Sequence, residues 1–231
     1  MKVAIAFGGL FMAFHSTAIA HDITFSPIFA LPVGSFAKNT TALTMGIDTA
    51  YNWQFTNVSV VASLGFWAYG KQALPAKTID PAVSDAIEFQ FDNNLFHGGV
   101  GARYRWPSDG IQPYVQGITG IMGIYTEVSS RDGSSVESLR IVGTKLVQSS
   151  TTPYGQVGIG ALIPLRQTAY SRSGRVGFSA NIDINLNYFM TGEIEYYSIS
   201  SVQISNNAVQ ITRFKGPIQM MMASAGINLA F

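Results

Sequence analysis

The sequence predicts an all-β protein, an eight-stranded antiparallel transmembrane β-barrel of up-and-down topology, from three observations. Residues 178–189 alternate strictly between apolar and polar side chains, as in a strand with one apolar and one polar face. Eight such segments follow one another, and from the second connection onward short and long connections alternate. The chain is 47% hydrophobic but only 12% charged, and a water-exposed surface so poor in charge would promote aggregation. The apolar face is therefore predicted to contact lipid.

The N-terminus has the features of a secretory signal peptide. Lys2 precedes an apolar stretch at 3–14, and Ala18-Ile19-Ala20 is a small-residue cleavage site. An uncleaved anchor would need about 20 apolar residues, and polar residues at 15–17 interrupt the stretch. We expect residues 1–20 to be removed after Ala20 and residues 21–231 to form a single barrel domain.

The expected strands are each long enough to cross a bilayer at a tilt, which takes about 9–11 residues. They are 23–36, 41–53, 58–70, 93–106, 111–126, 152–165, 175–190 and 217–231. An even number of strands places both termini on the periplasmic side. The long connections 71–92, 127–151 and 191–216 then lie outside the cell.

Two of the long connections are expected to continue as hairpins beyond the membrane. Asp132-Gly133 and Asn206-Asn207 are turn dipeptides flanked by β-branched and aromatic residues. A ten-stranded barrel that uses 194–204 and 207–216 as further spans is the alternative. It is disfavoured because Ser and Gln occur on both faces of those segments.

Two places fit the alternation less well. In the segment 111–126, three apolar residues would point inward, so we expect either a bulge or a partly apolar interior there. Pro27 lies inside the first strand and has no N–H to donate, so a bulge or a strand start is expected near it.

The charged residues of the predicted strands lie on the face opposite the large apolar residues. Together with nearby polar residues they form a predicted lumen polar network of Asp48, Arg103, Arg105, Asp183, Asn181, Asn185 and His97. Charges inside a narrow barrel are costly unless they are paired or hydrated. We therefore expect the two aspartates to pair with the two arginines across the lumen, either as a structural filling or as a gate.

Aromatic residues of the apolar face gather near the strand ends, as at membrane interfaces. The predicted periplasmic girdle consists of Tyr51, Trp53, Tyr104, Trp106 and Phe178, with Phe231 at the same level. The predicted outer girdle consists of Phe66, Phe96, Tyr125 and Tyr188.

The last strand ends on Phe231, with Leu229 and Ile227 at alternate positions before it. This pattern resembles the C-terminal signal that the barrel-assembly machinery reads. With the signal peptide and eight strands, the chain resembles the small outer-membrane barrel family of OmpA, OmpX and opacity type. The resemblance implies residence in a Gram-negative outer membrane, contact with its lipid and lipopolysaccharide, and delivery by periplasmic chaperones. It implies no single activity, since members include adhesins, membrane stabilisers, narrow pores and lipid-modifying enzymes.

Several function classes find no support in the sequence. The predicted mature chain has 13 basic and 13 acidic residues once Lys2 is removed, so we expect no nucleic-acid partner. No cysteine and no metal-ligand spacing occur, and no cofactor or metal is expected. A lipid-modifying enzyme would need a nucleophile beside His97, and it would lose its activity in His97→Ala.

The leading prediction is a non-enzymatic outer-membrane barrel whose outer loops contact an unknown ligand. The alternative is a small porin-like channel gated by the charged lumen residues. A soluble ligand-binding barrel is a further alternative, which would be extracted without detergent.

Overall fold

A computed structural model describes residues 20–40, 43–75, 87–132, 140–167, 179–205 and 208–231. The described residues form one closed barrel in which each antiparallel strand pairs with its neighbours in sequence and the first pairs with the last. The strands are β1 (Ala20–Pro32), β2 (Thr44–Phe55), β3 (Val58–Pro75), β4 (Ile87–Arg105), β5 (Gln112–Asp132), β6 (Arg140–Gln167), β7 (Ser179–Ser205) and β8 (Ala208–Ala230). The predicted fold class is confirmed, and the ten-strand alternative is wrong because its two extra segments belong to β7 and β8.

The strands extend further on the outer side than the sequence predicts. The β5–β6 pairing reaches Asp132 and Arg140, and the β7–β8 pairing reaches Ser205 and Ala208, which confirms the two expected hairpins. The predicted loop 71–92 is wrong at both ends, since β3 continues to Pro75 and β4 begins at Ile87. Outside a membrane polar side chains are tolerated on both faces, so loss of the apolar pattern does not end backbone pairing.

The first strand is shorter than predicted at its outer end. It stops at Pro32, and the short helix α1 (Phe36–Asn39) follows, so Phe36 is helical instead of extended. Gly34 lies between them with φ +61°, and a Cβ there would lie 1.9 Å from Gln219 Oε1. This left-handed turn, which glycine adopts without strain, bends the chain over the barrel mouth. In the described part of the chain, no helix is both long and apolar enough to cross a membrane.

Pro27 does not cause the expected bulge or strand start. Its pairing with Ile47 of β2 keeps an unbroken register. On the β8 side the pairing skips Ser26 and Pro27 and resumes at Ile28 in the same register. The missing N–H is therefore accommodated by a local gap in the ladder.

The two faces of the sheet have the populations that the alternation predicts. Outward-facing apolar residues are well exposed, with Ile47 at 66% and Leu64 at 69%. On β5, Ile118, Met122 and Ile124 are buried inside, and the β4–β5 register has no shift. Of the two options for that segment, the partly apolar interior is the one observed.

Candidate functional site in the barrel lumen

At the end of the lumen beside the chain termini, which is the predicted periplasmic end, an ion pair links β1 and β4. Arg105 Nη2 lies 2.6 Å from Asp22 Oδ2, and both side chains are buried. Asn52 Nδ2 and Asn228 Nδ2 each donate to Asp22 Oδ1 at 2.6 Å. One carboxylate thus joins strands β1, β2, β4 and β8.

A second ion pair lies in the next layer, between β4 and β7. Arg103 Nη1 is 3.5 Å from Asp183 Oδ2, and Tyr114 donates to Asp183 Oδ1 at 2.5 Å. Arg103 also donates to Gln116 Oε1 through Nε at 3.1 Å and Nη2 at 2.9 Å. Its guanidinium carbon is 4.1 Å from the centre of the Tyr114 ring, a cation–π contact. Every group of this cluster is therefore engaged.

Asp48 does not pair with an arginine, contrary to the sequence expectation. Its Oδ1 accepts from Trp67 Nε1 at 2.7 Å and lies 3.0 Å from His97 Nε2. His97 Nδ1 is 3.2 Å from the Tyr154 hydroxyl. The contact depends on Gly65, where a Cβ would lie 1.9 Å from Asp48 Oδ1 and 2.1 Å from His97 Nε2.

The remaining predicted lumen residues belong to amide ladders on β7. Asn181 Nδ2 donates to Asn228 Oδ1 at 3.0 Å. Asn185 accepts a hydrogen bond from Asn187, which in turn accepts from Gln116 Nε2 at 2.9 Å. The structure thus places the two asparagines beside the Arg103–Asp183 pair, on the same strand as Asp183.

Asp22 is a charged lumen residue that the sequence did not predict, and the aromatic lumen residues Trp67, Tyr114 and Tyr154 were not predicted either. The predicted first strand begins at 23, one residue too late to include Asp22. Strand parity provided the signal, because Asp22 lies in phase with Thr24 and Ser26, which are both buried.

The outer half of the lumen holds a cluster of large apolar side chains, with a few buried polar residues such as Asn93 and Thr126 beside it. We call its fully buried side chains the apolar plug: Trp67, Leu95, Met122, Phe189, Met220 and Met222. The Phe189 ring lies 5.0 Å from that of Trp67 and 4.8 Å from that of Tyr154. Such ring packing adds to the area buried.

Helix α1 covers the apolar plug from outside. Phe36 is 0% exposed, and its ring lies 5.1 Å from that of Tyr196 and 6.1 Å from that of Tyr69. Asn39 Nδ2 donates to the Tyr196 hydroxyl at 3.1 Å. Alternation alone places Phe36 on a strand, so no sequence pattern indicated this cap.

A small polar cavity separates the ion pairs from the apolar plug. It has a volume of about 30 Å³, and its walls include Asp48, Ser63, Arg103, Gln156 and Asp183. Within the described ranges, no group of three or more His, Cys, Asp or Glu side chains is arranged as a metal site. The Asp48–His97–Tyr154 chain has the order acid, imidazole and hydroxyl, but it is enclosed by the barrel wall.

The aromatic residues lie on the outer surface near the strand ends. At the predicted periplasmic end, the rings of Tyr51 and Trp53 are 4.7 Å apart and those of Tyr104 and Trp106 are 5.1 Å apart. Phe178 lies outside the described residues. At the other end, the Tyr125 ring lies 6.4 Å from the rings of both Phe66 and Phe96.

The predicted C-terminal signal residues lie on the last strand beside the first. Phe231 N donates to His21 O at 2.9 Å, and their rings are stacked 6.2 Å apart. Ile227 is exposed on the outer surface, and Leu229 is partly exposed. These residues form part of the seam between β1 and β8.

Comparison with solved structures finds outer-membrane barrels. The chain is similar to Neisserial surface protein A, with 12% identity, coverage of 90% of this chain and 97% of that one, and a TM-score of 0.45. It is also similar to Ail of Yersinia pestis (12% identity, 92% and 97% covered, TM-score 0.39). A third is the outer membrane protease OmpT of Escherichia coli (10% identity, 94% and 100% covered, TM-score 0.35).

No protein-family model matches the sequence, and no curated protein matches it. The eight-stranded up-and-down architecture fits the small outer-membrane barrel family that the sequence resembles.

Proposed function

We propose that this protein is an integral outer-membrane barrel that acts without catalysis, as a closed anchor for β-hairpins outside a Gram-negative cell. The observation that carries this proposal is the apolar belt on the outer surface. Its members include Phe25, Phe29, Ile47, Leu64, Val100, Ile121, Val157, Ile159, Ile184, Leu186 and Ile227, all of them exposed.

A belt of this kind is expected only where lipid replaces water. Monomeric soluble proteins rarely expose contiguous apolar patches larger than a few hundred Å², and this belt is formed by all eight strands. A closed barrel also satisfies the backbone hydrogen bonds of its spans internally. The aromatic groups at both ends of the belt support contact with lipid headgroups and lipopolysaccharide at the two interfaces.

The lumen favours an anchor over a channel. Two ion pairs fill its periplasmic half, and the apolar plug with Phe36 fills its outer half. Among the described residues, the polar cavity beside Asp48 is the only feature that favours the channel alternative. Conduction would require the apolar plug to open, because dry hydrophobic constrictions block ions.

We expect the refolded protein to show no unitary conductance in a planar bilayer. The double substitution Trp67→Ala and Phe189→Ala should produce openings, since it removes two large rings from the apolar plug while leaving both ion pairs in place. Insertion would be checked in both cases by protease protection of the barrel. A steady conductance from the unsubstituted protein would instead establish the channel.

The outer hairpins offer unpaired strand edges. Among the described residues, β7 beyond Thr191 pairs with β8 alone, and β6 up to Pro153 pairs with β5 alone. Exposed strand edges can bind an extended segment of a partner by strand addition. We infer that the unknown partner binds these hairpins, while the barrel holds them in place.

The β7–β8 hairpin should be dispensable for the barrel itself. Replacing residues 198–212 by an Asn-Gly turn removes only pairing beyond Tyr197 and Arg213. We expect the thermal unfolding midpoint and the detergent requirement to stay unchanged, because the ion pairs and apolar plug lie below this level. A lowered midpoint would show that the hairpin is part of the folding unit and would contradict the anchor model.

A further inference from the structure

The barrel wall divides into two units at the end away from the chain termini. Strand β8 loses its pairing with β1 beyond Met220, and β3 loses its pairing with β2 beyond Ala68. On the other side, β6 and β7 part after Tyr154 and Thr191. Among the described residues, the β7–β8 hairpin pairs with no other strand beyond these positions, whereas β3, β4, β5 and β6 continue as a separate sheet.

Helix α1 lies at the first of the two gaps between these units and is attached to the hairpin. In the turn before the helix, Val33 N donates to Gln219 O at 2.9 Å, and Ser35 N donates to Gln219 Oε1 at 3.3 Å. In the helix itself, Asn39 Nδ2 donates to the hydroxyl of Tyr196 on β7 at 3.1 Å. These three hydrogen bonds connect α1 to both strands of the hairpin.

The Phe36 side chain of α1 reaches across to the sheet. Its ring is fully buried and lies 5.1 Å from the Tyr196 ring of the hairpin and 6.1 Å from the Tyr69 ring of β3. Tyr69 and Tyr196 are also buried. Aromatic rings at such distances stabilise one another beyond the area that they bury. The Phe36 ring therefore joins the hairpin to the sheet.

The second gap opens between β6 and β7. The two strands are still close at its base, where a Cβ on Gly192 would lie 2.7 Å from Thr152 Oγ1. Further out, within the described ranges, β6 pairs with β5 alone and β7 with β8 alone. The position of the hairpin thus sets the separation of two unpaired strand edges, at which an extended polypeptide can add as a strand.

We propose that α1 is a clasp that holds the β7–β8 hairpin in one position against the β3–β6 sheet and thereby sets the width of the β6–β7 gap. Without the clasp the hairpin is free to pivot about its base, where Ile218 N donates to Thr191 Oγ1 at 2.9 Å. The link between this gap and partner binding rests on the proposed function. Because coupling between two sites is reciprocal, a partner strand that needs a wider gap would weaken the seating of Phe36.

The distance between two spin labels reports the position of the hairpin. The chain has no cysteine, so Ser149→Cys on β6 and Lys215→Cys on β8 provide the two attachment sites, and both positions are exposed. The labelled protein would be inserted into phosphatidylcholine nanodiscs without any partner and measured by double electron–electron resonance. We expect a single narrow distance distribution, because the seated α1 fixes the hairpin.

Phe36→Ala in the labelled protein should abolish the narrow distribution and give a broad one, since the ring no longer joins the hairpin to β3. Phe36→Leu should broaden the distribution less, because leucine fills part of the same space. Tyr196→Phe keeps the ring and removes the acceptor of the Asn39 amide, so a small broadening is expected. Lys38→Ala is the matched control, because this side chain of the same helix is exposed, and the distribution should stay narrow.

Superimposable distributions in the parent and in Phe36→Ala would overturn the clasp, and so would a distribution that is already broad in the parent. Equal broadening in Lys38→Ala would show that the Phe36 ring is not the joining element. Should Phe36→Ala fail to insert, Phe36→Leu and Tyr196→Phe decide the matter by the same comparison. Failure of the clasp with a silent planar bilayer would leave the anchor role standing, whereas a conducting protein would contradict the anchor without affecting the label distances.

Discussion

Replacing Asp183 with asparagine is expected to lower the free energy of unfolding by about 3–5 kcal/mol, the usual effect of breaking a buried ion pair. Asp183 is 0% exposed and lies against Arg103 and Tyr114. The amide preserves the shape of the side chain but leaves the Arg103 guanidinium without a counter-charge. Urea unfolding in lipid vesicles, followed by tryptophan emission, measures the change.

The same substitution at an exposed carboxylate serves as the control. Asp109→Asn changes the charge equally in the exposed turn between β4 and β5 and should leave the midpoint unchanged. Arg103→Gln should lower the free energy of unfolding about as much as Asp183→Asn does. The double variant should lower it by less than the sum of the two single effects. Unchanged midpoints in both single variants would show that the pair contributes nothing.

Gly120→Ala is expected to impair closure of the sheet between β4 and β5. A Cβ at Gly120 would lie 2.1 Å from Gly98 O and 2.5 Å from Gly99 Cα. Both atoms belong to the backbone of β4, so no side-chain rotation relieves the clash. Overpacking commonly costs about 1–3 kcal/mol and sometimes more, and we expect at least the upper end together with a reduced yield of heat-resistant, refolded barrel.

Gly117→Ala is the matched control on the same strand. Gly117 points outward, and a Cβ there meets no atom within 4 Å. Its stability should change by less than about 1 kcal/mol. Equal refolding of Gly120→Ala and Gly117→Ala would mean that β4 and β5 lie further apart at Gly120 than they do in this structure.

Alternation made much of the barrel predictable. The spans could be recognised from residues 178–189 and from the apolar outward faces of the other strands. Side-chain alternation is a local property of each strand and does not depend on which strand lies beside it. The expected hairpins are confirmed in the pairing of β5 with β6 and of β7 with β8, whereas Gly133, Asn206 and Asn207 of the two turn dipeptides lie outside the described residues. The outer limits of β3 and β4 were wrong because the apolar pattern stops at the membrane surface while backbone pairing continues.

The candidate site was predictable in most of its charged members, Asp22 excepted, but not in its pairing. Strand parity placed Asp48, His97, Arg103 and Asp183 on one face, as the structure has them. The pairing of acids with bases depends on which side chains lie at the same height in the lumen. That height is set by the register between neighbouring strands. Asp48 therefore meets His97, and Arg105 meets Asp22 from a strand 83 positions away in the chain.

The sequence by itself determined a lipid-facing, eight-stranded barrel with a polar and partly apolar interior, because burial against lipid selects one side-chain type at every second position. Only the tertiary structure decided that Phe36 turns back to cover the apolar plug, and that Asp48 faces a cavity with Gln156. Both features arise where segments distant in the chain meet across a closed sheet. Local periodicity carries no information about such contacts, since they depend on the register at which the barrel closes.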